Sequence, residues 1–402
     1  MTTFKRCLLR TCSATLLAAP GISALAVGFR LPNQDPEGIA RGNAFAATAD
    51  NASAIYYNPA GITQLPGDTF SVGAYFVSAG IDYTSPTGAT AKAKSDFQPV
   101  PEIYYVHKLK DSQFSLGLGV YSPYGLSVDW GQNSPFSTLA QKGQVIYGCF
   151  NPVIAWQIHP TLSLAIGPTI NYSEAMFQQA FPLTPNGTFH FRGDGTGYGF
   201  NAGLRWQPIE QLAFGMNYRS ETEIEYDGST EIQGLGRTPT HGPLRYPQFV
   251  VAGVSYRPTQ NWNFEVNIDW TDWERVNDIV FQGTPLGQDV TLPLNLKSSF
   301  MYEFGVTRQL GNGYFGSVGY FYSENSSPSE FFNPILPDSN LQLGSIGFGH
   351  RGKRWDWAAA YHFGYNGVRD VKGSPTSAFG QSADGKYETL NQAFNISVAF
   401  KF

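Results

Sequence analysis

Apolar and polar side chains alternate along most of the chain from about Thr69 to Phe402. The alternation is clearest over 262–271, where one face carries Trp262, Phe264, Val266, Ile268 and Trp270 and the opposite face carries Asn263, Glu265, Asn267, Asp269 and Thr271. A period of two with one apolar face predicts half-buried β-strands. Because the same period recurs over 200–206, 300–307 and 394–402, the sequence predicts an all-β architecture.

The charged residues of these strands indicate which medium each face meets. Arg205, Glu265, Asp269 and Glu303 all lie on the polar faces. An Arg or Lys on the lipid-facing side of a barrel costs ~2–4 kcal/mol at the bilayer midplane. We therefore expect the polar faces to line a lumen and the apolar faces to meet lipid. Trp and Tyr near the strand ends are typical of the aromatic girdles of transmembrane barrels.

Connections of alternating length predict the topology. Short turns are predicted near 110–112, 159–161, 208–211, 257–259, 311–313 and 352–353. Long connections are predicted near 82–97, 122–141, 174–196, 226–245, 273–294, 323–340 and 365–389. Outer-membrane barrels have short periplasmic turns and longer extracellular loops. Six short and seven long connections predict about fourteen antiparallel strands within 67–402, closed so that no sheet edge is free.

The first residues are typical of a secretory signal peptide. Lys5, Arg6 and Arg10 precede a short apolar core and a small-residue cleavage site at 24–26, which predicts a signal peptide over 1–26. Removing these three of the 26 basic residues leaves 23 against 31 acidic residues, a net charge of −8, which disfavours nucleic acid as a partner. Cys149 would be the one cysteine left, so no intramolecular disulfide and no cysteine-based metal site are expected.

Residues 27–66 do not follow the strand pattern. They carry closely spaced alanines and are interrupted by Gly38, Gly42, Pro59, Gly61 and Pro66. The interior of a barrel of about eight strands is just filled by its own side chains, so a barrel of fourteen is too wide to be filled in this way. We therefore predict that 27–66 forms a compact hatch that plugs the lumen.

Several blocks of the chain together resemble one family. The blocks are, in order, 27–32 (VGFRLP), 38–44 (GIARGNA), 49–53 (ADNAS), 58–61 (NPAG), 197–203 (GYGFNAG), 218–221 (YRSE) and the terminal Phe402. They resemble the FadL-type long-chain fatty-acid and hydrocarbon transporters of Gram-negative outer membranes, and the resemblance covers essentially the whole mature chain. It implies a barrel of fourteen strands with an N-terminal hatch, located in the bacterial outer membrane.

The resemblance also implies a function, namely passive uptake of long-chain fatty acids or related lipids and hydrocarbons. Family members take substrates through extracellular loop grooves into a lumenal pocket and release them sideways beside a kinked third strand. Here that strand would be 113–122, and Gly117, Gly119 and Pro123 are the kink candidates, although glycines are common throughout this barrel. Two alternatives stay open: an aromatic-hydrocarbon channel, and a structural or secretion- and assembly-accessory barrel.

The hatch supplies the first candidate site residues. The hatch motif comprises Gly28, Phe29, Asn58, Pro59 and Ala60. By the resemblance, Phe29 is a candidate for substrate contact in the lumenal pocket, and packing within the hatch is the alternative. The Asn-Pro-Ala sequence is expected mainly to fix how the hatch leads into the first strand, because Pro presets φ and Asn suits a turn.

Two further pairs of residues are candidates for substrate contact. Phe177 and Phe181 lie in the third long connection, whose apolar content predicts a capture groove for hydrophobic molecules. Arg219 and Glu221 are expected to face the lumen. They would either meet a carboxylate head group or form an interior ion-pair network.

No enzymatic site is indicated by the sequence. The six histidines have no spacing typical of metal ligands, and the glycine-rich stretch 193–197 precedes a strand rather than a phosphate-binding helix. We therefore expect no cofactor and no metal. The expected partners are a hydrophobic small molecule, outer-membrane lipid and, during biogenesis, the barrel-assembly machinery, and the expected oligomeric state is a monomer.

Overall fold

A computed structural model describes residues 28–402, which form an antiparallel β-barrel around a helical hatch. The predicted signal peptide, 1–26, lies outside the described residues, as does Val27 at its cleavage site. No helix within 28–402 is long and apolar enough to cross a membrane.

Twenty strands are formed within the described chain. They are β1 (Thr69–Thr84), β2 (Thr90–Lys92), β3 (Gln98–Lys108), β4 (Phe114–Tyr121), β5 (Gly125–Asp129), β6 (Lys142–His159), β7 (Leu162–Ala180), β8 (Thr188–Ile209), β9 (Leu212–Arg219), β10 (Thr222–Ile232), β11 (Gly236–Tyr246), β12 (Phe249–Thr259), β13 (Trp262–Thr271), β14 (Asp278–Phe281), β15 (Val290–Pro293), β16 (Ser299–Gly311), β17 (Tyr314–Ser323), β18 (Leu341–Arg351), β19 (Trp355–Val371) and β20 (Gly385–Lys401).

These strands make the fourteen barrel strands that the sequence predicts. The third, seventh and eighth barrel strands each consist of two consecutive pieces, β4 with β5, β9 with β10, and β11 with β12. β2 pairs with the end of β1, and β14 and β15 form a separate hairpin. β20 pairs antiparallel with β1 from Thr69↔Lys401 to Thr84↔Lys386, which closes the sheet.

The two faces of the wall have the polarity predicted from the alternation. On β13, Glu265 and Asp269 point inward and are buried, whereas Val266 and Ile268 point outward and are nearly half exposed. An exposed apolar side chain on this outer face is one that meets lipid, because water is absent there.

Residues 28–66, the predicted hatch, lie inside the barrel and contain short helices. The hatch contains α1 (Pro36–Ala40), α2 (Ala54–Tyr57) and a 3-10 helix (Pro59–Gln64). Nearly all of its residues are buried. Its backbone lies directly against the wall, since a Cβ on Gly215 of β9 would lie 2.0 Å from the Ala46 carbonyl oxygen. Small residues on both sides therefore permit this close contact.

Two of the predicted long connections are mostly strand. The third and fourth, 174–196 and 226–245, contain the ends of β7, β8, β10 and β11, and 181–187 and 233–235 are left as turns. These strands continue beyond the apolar outer band, where their outward side chains are polar, as at Glu174 and Arg192. The barrel wall thus extends past the membrane, which the sequence reading did not anticipate.

Candidate functional site

The third barrel strand is interrupted at 122–124. β4 pairs with β3 as far as Val120 and ends at Tyr121, and β5 resumes at Gly125 and pairs with β6. No registered pair joins β3 to β5 within 28–402, so the wall has a gap beside the interruption. Pro123 lies there, and a proline has no N–H to donate to a strand ladder. Pro123, one of the three kink candidates, therefore lies at the interruption of the strand.

The other two candidates have a different role. Gly117 and Gly119 lie in the regular part of β4, and a Cβ on either would lie 2.9 Å from the Ile55 side chain of α2. These glycines make room for the hatch against the wall. The interruption of the strand at 122–124 does not include them.

Residues 28–34, here called the stopper segment, fill the gap from inside the barrel. Gly125 N donates to the Phe29 carbonyl at 2.9 Å, and Leu31 N donates to the Pro123 carbonyl at 2.8 Å. The backbone groups that the interrupted strand leaves unpaired are thus satisfied by this segment, as buried backbone groups require.

Gln34 makes further hydrogen bonds that hold the stopper segment in the gap, and sequence reasoning missed this residue. Its side-chain amide donates to the Ser122 carbonyl at 2.8 Å and to the Leu31 carbonyl at 2.9 Å. Tyr104 of β3 donates its hydroxyl to the Gln34 carbonyl at 2.9 Å. The segment is therefore bound to both edges of the gap. A glutamine in a non-repetitive hatch carries no sequence signal for such a contact.

Phe29 lies in a nest of aromatic rings. Its ring centroid is 4.9 Å from that of Trp273, 5.6 Å from that of Tyr246 and 6.1 Å from that of Tyr124. Gly28 has φ +61°, and a Cβ there would lie 2.5 Å from the Trp273 ring. Only glycine fits the backbone beside this indole, which gives a physical reason for Gly28 in the hatch motif.

Arg30 is a buried cation with a partner. Its Nη1 lies 2.7 Å from Asp269 Oδ1, and its guanidinium stacks on the Phe249 ring with Cζ 3.6 Å from the centroid. This pair joins the stopper segment to β13, on the side of the lumen away from the gap. A buried pair of this kind strongly destabilises a structure when one partner is removed.

Arg219 is a buried cation without a carboxylate partner among the described residues. It donates to the Tyr121 hydroxyl and, at 3.6 Å, to Cys149 Sγ, and its Nε is buried without a hydrogen-bond partner. Glu221 does not join it, because Glu221 pairs with Arg275 at 3.4 Å. The predicted interior network of Arg219 with Glu221 is therefore wrong, and Arg219 alone faces the lumen beside the gap.

The Asn-Pro-Ala motif fixes the hatch to the wall. Asn58 Oδ1 accepts from Ala60 N at 3.2 Å, and Asn58 Nδ2 donates to the carbonyls of Ala46 at 2.7 Å and of Leu204 in β8 at 2.9 Å. Pro59 is the first residue of the 3-10 helix, where no backbone donor is needed. These contacts hold the motif against β8 and against the hatch itself, and its role in leading the hatch into the first strand stays a prediction.

Buried polar contacts hold the rest of the hatch. Glu265 of β13 accepts from Ala47 N at 2.7 Å and Thr48 N at 3.0 Å, and it pairs with Arg41 at 3.1 Å. A carboxylate that is buried with a cation and several donors has the partners that a buried charge requires. These contacts are spread along the hatch, away from the gap.

Asp35 is a titratable group within the hatch. It caps α1 by accepting from Glu37 N at 2.9 Å and Gly38 N at 3.3 Å. Burial, together with the Glu37 carboxylate, raises the pKa of Asp35 to about 7. The hatch therefore contains a carboxyl group that titrates near neutral pH.

Phe177 and Phe181 do not lie on an exposed loop. Phe177 is within β7 and stacks on Phe281 of β14 with centroids 5.7 Å apart, and Phe181 meets Phe379 edge-on at 6.0 Å. Both side chains are 7% exposed. They point inward and belong to an apolar cap that closes the extracellular end of the lumen. The predicted open capture groove is therefore a closed cluster in this structure.

The arrangement provides binding surfaces rather than reactive groups. No set of three His, Cys, Asp or Glu side chains within 28–402 is placed to hold a metal ion. The space left between Arg30, Tyr56 and Phe249 is about 10 Å³, which is no more than one water requires. A ligand that reached the gap would therefore have to displace the stopper segment.

Nearly the whole chain is similar to known outer membrane proteins. The family model described as outer membrane protein transport protein (OMPP1/FadL/TodX) matches residues 17–402. A long-chain fatty acid transport protein of Escherichia coli is 23% identical, over 96% of this chain and 97% of its own length. A 47 kDa outer membrane protein of Pasteurella multocida is 24% identical over 85% of this chain and 88% of its own.

Solved structures have the same fold. A FadL homologue of Pseudomonas aeruginosa superposes with a TM-score of 0.83, at 16% identity, over 94% of this chain and all of the other. The toluene transporter TodX of Pseudomonas putida superposes with a TM-score of 0.69, at 18% identity, over 88% of this chain and 94% of the other.

Proposed function

Because the chain belongs to the OMPP1/FadL/TodX family of outer membrane transport proteins, we propose that it takes up hydrophobic molecules passively and releases them sideways through the gap beside Pro123. The protein is an outer-membrane transport barrel, and its family consists of transporters and channels rather than enzymes. A molecule would pass from the apolar cap to the Phe29 nest and leave between β3 and β5.

One observation carries this proposal. The gap in the wall is filled by a separable segment rather than by a neighbouring strand, through backbone bonds at Phe29 and Leu31 and the aromatic contacts of Phe29. Movement of 28–34 would open the lumen toward lipid without breaking a continuous strand ladder. Sideways release also keeps an apolar molecule out of water, where its hydration is unfavourable.

The charge beside the gap favours an amphipathic acid as the substrate. Arg219 has no carboxylate within 4 Å among the described residues, and its neighbours Tyr121 and Tyr56 are aromatic. Taking a cation out of water is unfavourable unless it is paired, and aromatic faces offset only part of that cost. The carboxylate of a long-chain fatty acid would supply the missing charge.

A hydrocarbon channel is the second candidate, and the Phe29 nest favours it. Trp273, Tyr246 and Tyr124 surround Phe29 with flat apolar faces that a small aromatic molecule could occupy in place of the ring. Replacing Arg219 by Leu separates the candidates. Oleate uptake should then fall while toluene uptake stays unchanged. An equal loss of both would remove the argument from charge.

A reversible cross-link tests the release step. Arg30 and Tyr124 form an antiparallel bridge across the gap, and Cα atoms paired in this way lie about 4.5–5.5 Å apart, within reach of a disulfide. Asp269→Asn accompanies Arg30→Cys so that no buried carboxylate is left unpaired. In this Arg30→Cys/Tyr124→Cys/Asp269→Asn variant, oxidation should abolish oleate uptake by cells and reduction should restore it. The two variants with a single cysteine in the same Asp269→Asn background, treated identically, are the controls.

Two results would contradict the proposal. Equal uptake by the oxidised and reduced double variant would mean that the stopper segment does not gate release. If the unmodified protein takes up neither oleate nor toluene, and a partner protein co-purifies with it, the accessory role is the better assignment. Correct folding of each variant is checked by heat-modifiable mobility on gels.

A further inference from the structure

Arg308 is a basic residue on the lipid-facing side of the wall. It follows Val306 on the outer face of β16 and lies three residues before Gly311, where the short turn to β17 begins. No ion pair or hydrogen bond joins its guanidinium to another residue of the described chain. Its one charge-related contact is with Trp262, whose ring centroid is 5.2 Å from Cζ. Because short turns lie on the periplasmic side, Arg308 is at the periplasmic boundary of the apolar band.

An apolar groove starts at this cation. Its volume is about 590 Å³, within the range of about 300–1,000 Å³ that small-molecule sites have. The floor is low at Gly316 and Ala359, which face outward at the same level as Arg308, on β17 and β19. Phe348 of β18 lies between them in register, and its ring packs against Tyr314 and Trp357 near the periplasmic turns. Larger apolar side chains, Ile346 and Tyr361 among them, form its upper wall.

The groove combines a cation with an apolar floor, and this combination indicates the kind of molecule that it binds. An unpaired guanidinium at the membrane boundary matches a phosphate, to which Arg can donate two parallel hydrogen bonds. The apolar floor beside it matches an acyl chain, which gains by burial against Gly316 and Ala359. The periplasmic leaflet at this depth consists of glycerophospholipids, which carry both groups.

We propose that this groove binds one glycerophospholipid of the periplasmic leaflet, with its phosphate on Arg308 and an acyl chain over Gly316 and Ala359. The groove is separate from the substrate path. It is centred on the eleventh and twelfth barrel strands, and the gap interrupts the third, nearly across the barrel. The proposal therefore does not depend on how substrates are released.

Native mass spectrometry of the full-length mature protein in detergent tests this site. The protein is titrated with dioleoyl phosphatidylglycerol and, separately, with dioleoylglycerol, which has the same chains without the phosphate. Arg308→Gln removes the charge, and Gly316→Leu fills the floor. Gly344→Leu is the matched control, because Gly344 faces outward on β18 with no atom within 4 Å of a Cβ placed there, and the nearest atoms at Gly316 are 3.9 Å away.

We expect one phosphatidylglycerol to be retained by the unchanged protein and by Gly344→Leu. Arg308→Gln should bind it about tenfold more weakly, the change that loss of one charge-assisted hydrogen bond produces. Gly316→Leu should weaken binding by a similar factor without altering charge, so failure of one variant to fold leaves the other as a test. Dioleoylglycerol should bind more weakly than the phospholipid in the unchanged protein.

Several outcomes would overturn the proposal. Equal retention of phosphatidylglycerol by all variants would indicate a non-specific lipid shell, and equal retention of dioleoylglycerol would exclude a role for the phosphate. Oleate bound in place of phospholipid would make the groove a substrate site. Dimers that disappear in Gly316→Leu would assign the groove to a second copy of the chain.

Discussion

Replacing Phe29 by alanine should release the stopper segment from the gap. The ring is 4% exposed and has three aromatic rings within 6.1 Å. Truncating a buried Phe to Ala costs about 3–5 kcal/mol. The docked state alone has these contacts, so the docking equilibrium should shift toward the released state by roughly 10²- to 4 × 10³-fold, at about 1.4 kcal/mol for each factor of ten.

Hydrogen exchange of two amides reports this equilibrium. Leu31 N and Gly125 N are bonded across the gap, at 2.8 Å and 2.9 Å, so both are protected only while the segment is docked. Their exchange should accelerate by a factor in that range in the Phe29→Ala protein. Amides in the ladder between β17 and β18 should keep their protection, because no hydrogen bond, ion pair or ring contact within the described chain joins the segment to those two strands.

The matched control is Phe45→Ala. Phe45 is also fully buried in the hatch, but its aromatic partner is Tyr57, 5.4 Å away, and not a residue of the gap. Unchanged exchange at Leu31 and Gly125 in Phe29→Ala, or the same acceleration in Phe45→Ala, would refute the reasoning. In uptake assays Phe29→Ala should weaken retention of the substrate in the lumen and leave first contact unchanged.

Three other perturbations test the remainder of the structure. Deletion of 27–66 should give large conductance in planar bilayers, because the hatch fills the lumen, and large steady currents from the intact protein would contradict this. The pKa of Asp35 is raised from 3.8 to about 7, so its protonated form stabilises the hatch. This contribution to stability is full below about pH 4 and is lost as the pH rises through 7. The Tm of the protein should therefore be lower at pH 8 than at pH 5. If the Asp35→Asn protein shows a Tm difference of the same size, Asp35 is not the cause. Phe177→Ser should lower the free energy of unfolding by about 3–5 kcal/mol, because the ring is buried in the cap, and an unchanged Tm would show that the cap does not contribute to stability.

The barrel could be predicted because lipid imposes a strict rule on each strand. Within the apolar band, charged residues such as Glu265 and Asp269 are tolerated only on the inward face, so the alternation on β13 fixes both the period and the direction of its side chains. The number of strands follows from counting these segments and the turns between them. None of these steps requires knowledge of long-range packing.

The cap could not be predicted because the alternation changes phase at the membrane boundary. In the membrane, β8 has polar inward residues such as Asn201 and Arg205, but beyond the membrane Phe189 and Phe191 point inward and Arg192 points outward. The period of two continues while the apolar face moves from outside to inside. A search for strands with apolar outward faces therefore predicts a loop in the extracellular part of β8.

Arg219 and Glu221 illustrate a local failure of the same kind. Residues two apart in a strand share a face, which predicts that both face the lumen. The strand breaks after Arg219, and the inward positions resume at Thr222, three residues later. One extra residue thus turns Glu221 away from the lumen toward Arg275. Because of this shift, Glu221 does not reach Arg219, and Arg219 has no carboxylate partner among the described residues.

The two closures of the lumen differ in chemistry, and this difference favours sideways release over passage through the hatch. The extracellular cap is held by apolar contacts such as that of Phe177 with Phe281. A hydrophobic molecule can replace such contacts with its own surface, so the free energy of opening the cap is largely recovered on binding. The hatch is held by buried ionic and polar contacts such as those of Glu265 with Arg41, which an apolar molecule cannot replace, and separating them leaves charges unpaired. At the gap the stopper segment is held both by the apolar ring of Phe29 and by polar contacts, those of Arg30 with Asp269 and of Gln34 with Ser122. An apolar ligand can therefore replace the contacts of the cap and those of Phe29 at the gap, but not the polar contacts that hold the hatch.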